Sequence, residues 1–209
     1  MYSEENFLKA IKKLREEKDE RKFDQSIDLI INLKSFDVRR EAFNTFISVP
    51  FKVKDKKVAA FLEKESNAVP TIKKDDFPRY KEKKEIKKLL KQYDFFMASA
   101  KLMPSIATAF GRYLGPVGKM PSPQLGIIAS EEDAVIKANI QKINSTVRVR
   151  VKEPSIKIAI GKKSLKDDEI AKNASTIFLK ILELLPRKID NVRNIKIKFS
   201  MTKPVLVES

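Results

Sequence analysis

Apolar residues recur along this chain with two different periods, and the period changes twice. Phe7, Leu8, Ile11 and Leu14 form one stripe at helical spacing, with Lys9, Lys12, Lys13 and Glu16 opposite. Ser3 is placed to cap that helix, and Glu4 and Glu5 fall in its first turn, where carboxylates complement the helix dipole. The spacing then becomes alternation: Phe23, Ile27, Leu29, Ile31 and Leu33 share one parity, and Asp24, Ser26, Asp28 and Asn32 share the other. This predicts a half-buried strand starting at Phe23. A second strand is expected over 43–53, ended or placed on an edge by Pro50.

After a charged break at 54–57 the pattern differs. Short continuous apolar runs at 58–62, 95–98 and 126–129 predict strands, the first of them covered on both faces. Helices are expected over 81–93, with Ile86, Leu89 and Leu90 inward, and over 102–114, with Pro104 in the first turn. Residues 115–124 read as a loop. Ser130 is placed to cap a third helix, with Asp133 three residues on. Strands alternating with helices predict a small parallel sheet wrapped by helices.

From Ser145 alternation returns. Val147, Val149 and Val151 interleave with Arg148, Arg150 and Lys152, and Ile156, Ile158 and Ile160 with Ser155, Lys157 and Ala159. With Glu153-Pro154 as the turn, this predicts an antiparallel hairpin with a basic face. A helix over 167–185 stopped by Pro186 follows. The last strand, over 192–201, sets Ile195, Ile197 and Phe199 against Lys196, Lys198 and Ser200. The fold class predicted is α/β with two domains. A discontinuous α+β domain with antiparallel strands comes from 1–54 and 144–209. A Rossmann-like parallel α/β domain, 55–143, is inserted at a loop, where insertion costs little closure entropy.

Charge narrows the function classes. The 209 residues are 42% hydrophobic, enough for a core, and 34% charged, with a formal net charge of +16. A Lys/Glu-rich solvated surface explains the charge content but not its sign, and nucleic acid is the commonest partner of so basic a chain. There is no Cys and no His, so thiolate or imidazole catalysis and the usual zinc ligands are absent. The acidic groups at 131–133 and 167–169 fall at predicted helix starts, which accounts for them structurally. Three of the five glycines lie between Gly111 and Gly118, which predicts a shaped loop. It is not a P-loop: Tyr113 stands where the first Gly is needed, and Met120 follows Lys119 where Ser or Thr is needed. No catalytic template can be assembled, so no enzyme, cofactor or metal is expected. Residues 1–12 lack the apolar core of a signal peptide, and no apolar run approaches the roughly 20 residues that span a bilayer. A cytoplasmic protein without membrane contact is expected.

Arg148, Arg150, Lys152, Lys157, Lys196 and Lys198 all fall on polar parities of the terminal domain, a pattern suited to reading phosphates. Specific motifs add to this. Leu114-Gly-Pro-Val-Gly-Lys-Met-Pro-Ser-Pro-Gln124 resembles the signature of the large-subunit ribosomal protein L-one family. Lys22-Phe-Asp-Gln-Ser-Ile27 is similar to its first strand, and Asp94-Phe-Phe-Met-Ala98 through Met103-Pro104 to its middle domain. The resemblance covers nearly the whole chain and is closest to the archaeal and eukaryotic branch. It implies a domain from both termini that grips RNA and an inserted Rossmann-like domain on a two-segment hinge. It implies binding to the stalk region of large-subunit rRNA near the tRNA exit site, with exit-site tRNA as a further partner. In many members it implies repression through the protein's own mRNA; a primarily mRNA-binding regulator is the alternative. The chain would be a monomer off the ribosome. The RNA contacts implied are Lys22, Phe23, Ser26, Lys152, Lys157, Lys198, Ser200, Met201 and Thr202. Two departures stand out. Thr202 replaces a family Gly, exchanging a close-approach residue for a branched one, and Val117 stands where the family prefers Arg.

Overall fold

The alternating strand of the N-terminal third lies at the centre of a sheet, paired on both sides. The computed structural model describes residues 2–16 and 22–208. In chain order the elements are α1 (Glu4–Glu16), β1 (Ser26–Leu33), α2 (Val38–Glu41), β2 (Asn44–Ser48), β3 (Val58–Phe61), β4 (Thr71–Ile72), α3 (Lys83–Gln92), β5 (Phe95–Ser99) and α4 (Met103–Val117). There follow β6 (Ile127–Ile128), α5 (Asp133–Asn144), β7 (Thr146–Arg150), β8 (Ser155–Lys162), α6 (Asp167–Leu184), β9 (Val192–Phe199) and β10 (Val205–Leu206). Two units result, one from residues 1–54 and 145–209 and one from 55–144.

In the terminal unit a four-stranded antiparallel sheet runs in the order β10-β9-β1-β8. The inward parity of β1, Ile27, Leu29, Ile31 and Leu33, is buried. It meets Ile156, Ile158 and Ile160 of β8 and Ile195, Ile197 and Phe199 of β9 in one core. Helices α1 and α6 cover that face, with Phe7 and Phe178 edge to face at 6.0 Å. Each fully buried Ile or Phe contributes about 1.5–3 kcal/mol. Asn173 of α6 is fully buried. Its amide accepts from the Phe51 N–H at 3.0 Å and donates to the carbonyls of Phe51 and Ile160 at 3.1 and 3.0 Å. This ties the segment after Pro50 to the core.

Two expectations for this unit change. Phe23 does not begin the strand: β1 starts at Ser26, and Phe23 is 53% exposed. The basic hairpin does not form. β7 pairs antiparallel with β2, Phe46 opposite Arg148 and Asn44 opposite Arg150, in a separate two-stranded sheet, while β8 pairs with β1. Alternation specifies a strand and its buried face but not its partner, and each strand pairs with one far away in sequence.

In the inserted unit a parallel sheet runs in the order β4-β3-β5-β6. Its two faces have separate cores, one around Phe61, Phe96 and Phe110 and one around Met97, Ile128 and Ile136. The expected loop from Gly111 is helix as far as Val117. Ile106, Phe110 and Leu114 are buried on one side of α4, which offsets the roughly 1 kcal/mol cost of each helical glycine. Gly118 then takes φ 73°, its N–H donating to the Gly115 carbonyl and that of Lys119 to Leu114. That is a Schellman stop, which needs a residue free of Cβ strain. Ser130 does not cap α5, which begins at Asp133. The helix expected over 81–93 is α3, and it is preceded by a 3-10 segment over 74–81 for which the sequence pattern gave no expectation.

Candidate nucleic-acid interface

The outward parity of the terminal sheet defines the site. It carries Ser26, Asp28, Ile30 and Asn32 from β1, Ser155, Lys157 and Ala159 from β8, and Asn194, Lys196 and Lys198 from β9; all are half-buried except the exposed Lys157. Cross-strand register sets Asp28 opposite Lys198 and Ala159, and Ile30 opposite Lys196 and Lys157. A bulge where Ile27 faces Gly161 and Asp28 faces Ala159 inserts Ile160 and brings Lys162 opposite Ser26. The extra residue therefore re-aims a lysine onto this face. Sequence reading missed Lys162, because simple alternation from Lys157 predicts the opposite side.

At one end of this sheet three segments converge. Residues 22–26 lead into β1, 161–164 leave β8, and 199–202 leave β9. The Ser200 N–H and hydroxyl donate to the Ser26 carbonyl at 3.0 and 3.2 Å. The Met201 N–H donates to the buried amide of Gln25 at 3.2 Å, and the Lys163 N–H to the Gln25 carbonyl at 2.8 Å. The Thr202 hydroxyl accepts from the Phe199 N–H at 3.1 Å. The branched residue is thus spent closing its own turn. The Ser164 N–H and hydroxyl donate to the Asp24 carboxylate at 3.1 and 2.9 Å, and the Lys162 ammonium lies 3.5 Å from it. Burial raises the Asp24 carboxyl, but the Ser164 hydrogen bonds and Lys162 outweigh it and hold it below the ordinary value. Arg15 of α1 fixes the same turn from behind, donating to the carbonyls of Lys163 and Leu165 at 3.1 and 2.8 Å and to Asp167.

Around this cradle Phe23 and Met201 stand 53% and 57% exposed, with Lys22 beside them, and the Lys163 ammonium lies 5.4 Å from the Phe199 ring. Lys22, Phe23, Ser26, Lys198, Ser200, Met201 and Thr202 are therefore gathered at one end of one sheet. Lys157 lies farther along the same face, in an exposed pair with Glu153 at 3.6 Å. Lys152 is exposed in the link between the two sheets and belongs to neither ladder. Arg148 and Arg150 also leave the group. Arg148 donates to Asn44 at 2.9 Å and lies 5.7 Å over the Phe46 ring, on the β2–β7 ladder.

The glycine-rich motif has a structural role. The Lys119 ammonium donates to the carbonyls of Leu90 and Tyr93, both at 2.7 Å, and so caps the C-terminal end of α3. The crevice at the carboxyl ends of β3 and β5, where open α/β sheets take ligands, holds the chain's own Glu131. Its carboxylate accepts the N–H groups of Glu63 and Lys64 at 3.0–3.1 Å. Among the described residues no helix is long and apolar enough to cross a membrane.

Comparison with known proteins agrees with the motifs. The sequence profile of the ribosomal protein L1p/L10e family matches residues 11–203. The large ribosomal subunit protein uL1 of Thermofilum pendens is 34% identical over 200 residues, covering 90% of this chain and 85% of that protein. The uL1 proteins of Nanoarchaeum equitans and Methanothermobacter thermautotrophicus are 33% and 32% identical, covering 94% and 91% of this chain and 97% and 91% of their own length. These relatives are structural ribosomal proteins rather than enzymes. The chain belongs to the ribosomal protein L1p/L10e family.

Proposed function

We propose that the open face of the terminal sheet binds the folded stalk region of large-subunit rRNA near the tRNA exit site, in ribosomes of the cytoplasm. The observation that carries this reading is the convergence of 22–26, 161–164 and 199–202 at one end of a lysine-bearing sheet. Lys22, Lys157, Lys162, Lys196 and Lys198 supply phosphate contacts that position the RNA. Phe23 and Met201 offer apolar surface for bases or sugars, and the Ser26 and Ser200 edge offers hydroxyls suited to RNA recognition. Lys152 and Thr202 lie at the margin of the contact. The test is binding of the full chain to an rRNA stalk fragment. Affinity that falls steeply with salt supports the reading, and no binding overturns it.

The same face would receive a similarly folded segment of the protein's own mRNA, and repression of translation would follow. Competition between the two RNAs for one site, and the distribution of the protein between ribosomes and free mRNA on sedimentation, decide which target dominates. Contact with exit-site tRNA is a separate expectation of the stalk position, tested by crosslinking in ribosomes.

A further inference from the structure

The inserted unit carries a groove that the RNA-binding reading does not use. It lies between the 3-10 segment at 74–81, the start of α3, and α4, with a volume of about 480 Å³. Binding sites commonly measure roughly 300–1,000 Å³. Buried Ile86 forms its base, half-buried Phe77, Tyr80 and Tyr113 form its walls, and Ala109 is exposed at its mouth. Two walls are held from behind: Phe77 and Tyr80 pack on the buried Phe110 ring at 5.0 and 5.8 Å. The groove is therefore preorganised and loses little freedom when filled. The hydroxyls of Tyr80 and Tyr113 have no hydrogen-bond partner among the described residues. Aromatic, tyrosine-rich pockets are where protein partners seat an apolar anchor.

Charge selects the partner. Lys74 lines the groove, and Arg112 stands one turn from Ala109 on α4, the spacing of neighbours on a helix surface. Both are exposed and make no ion pair among the described residues. Of the acids on the same segment, Asp76 pairs with Arg79 at 3.3 Å and Glu85 with Lys88 at 2.8 Å. Asp75 and Glu82 are exposed and make no ion pair among the described residues. A phosphodiester chain brings a charge at every nucleotide and is repelled by those two carboxylates. A protein segment can set its carboxylates against the two cations alone. We propose that this groove docks an acidic segment of another protein, which inserts a large apolar side chain among Phe77, Tyr80 and Tyr113 and sets carboxylates against Lys74 and Arg112. The inference is independent of the rRNA-binding reading, which concerns the terminal unit.

The experiment measures binding of the full chain to synthetic peptides of equal length by fluorescence anisotropy. One is Glu-rich with a central Leu-Phe pair, one has every Glu replaced by Lys, and one has the Leu-Phe pair replaced by Ser. Single-stranded oligoadenylate is the competing probe. The expected result is binding of the acidic peptide with the apolar pair, and binding about tenfold weaker or less for the other two peptides. Ala109→Arg separates charge from shape, because it adds a cation while filling the mouth of the groove. Charge alone predicts tighter binding of the acidic peptide; docking in the groove predicts a loss of about tenfold or more. The double variant Lys74→Glu with Arg112→Glu should weaken the acidic peptide and favour the Lys-rich one. All three positions are exposed, so thermal unfolding should stay within the small range of surface substitutions. Failure of the acidic peptide to bind, or equal or tighter binding by Ala109→Arg, overturns the inference. Oligoadenylate that binds the unaltered protein, displaces the acidic peptide and is lost in Ala109→Arg also overturns it, by making RNA the occupant. None of these outcomes alters the rRNA reading, whose own test uses the stalk fragment.

Discussion

Ser200 and Ser26, 174 residues apart in sequence, are joined twice: the backbone N–H and the hydroxyl of Ser200 both donate to the Ser26 carbonyl. The backbone bond survives loss of the hydroxyl, so Ser200→Ala should fold normally. Its affinity for an rRNA stalk fragment should fall about threefold to tenfold. Met201 is 57% exposed. Met201→Asp should leave thermal unfolding within the small range of surface substitutions and weaken RNA binding about tenfold or more through repulsion of phosphates. Unchanged affinity in both variants would remove this end of the sheet from the interface.

Lysines that contact phosphate should each contribute to the salt dependence. Lys198→Ala or Lys162→Ala should lower the slope of log affinity against log salt by about 0.7–0.9. Arg148→Ala, on the separate β2–β7 ladder, should leave it unchanged. Isothermal titration at several salt concentrations measures both.

Arg15 holds the 163–165 turn by two carbonyls and Asp167. Arg15→Met should cost about 1.5–3 kcal/mol in denaturant unfolding, the range for hydrogen bonds to charged groups. It should also weaken RNA binding with no change in salt slope, because Arg15 orders the turn without itself meeting phosphate.

Asn173 satisfies three backbone groups in the core. Asn173→Leu leaves them bare and should destabilise the terminal unit by about 2–4 kcal/mol, read from the denaturant midpoint.

Asp24 carries a pH signature. Its carboxyl is held below the ordinary value in the folded chain. Its contribution is therefore complete above the unfolded value and is lost as pH falls through the lower folded one. The stability difference between the unaltered protein and Asp24→Asn should be constant above about pH 5 and close on acidification. A constant difference at all pH values would show that Ser164 and Lys162 do not hold the charged form.

Local pattern made much of this architecture legible. The alternation of Ile27, Leu29, Ile31 and Leu33 gave β1 its buried face, and the motif at 114–124 gave the family. What local pattern could not carry was partnership. Val147 to Val151 and Ile156 to Ile160 alternate as a hairpin would, yet their strands belong to different sheets, because strand choice is decided by surfaces far away in sequence. Lys162 was hidden by a one-residue bulge that reverses parity. Phe23 was drawn onto the core side by counting residues through a segment that is not yet strand. Thr71–Ile72 is too short for any periodicity.

The position of β1 also sets an order of events during synthesis. Its neighbours on both sides, β8 and β9, are made more than a hundred residues later. At ribosomal rates this strand leaves the tunnel and waits on the order of 10 s without either ladder, while residues 55–144 already contain every strand of their own sheet. The inserted unit can therefore mature first. The proposed RNA-facing surface exists only once β9 and the 199–202 turn have been released, so a chain interrupted before them has no grip with which to capture its target.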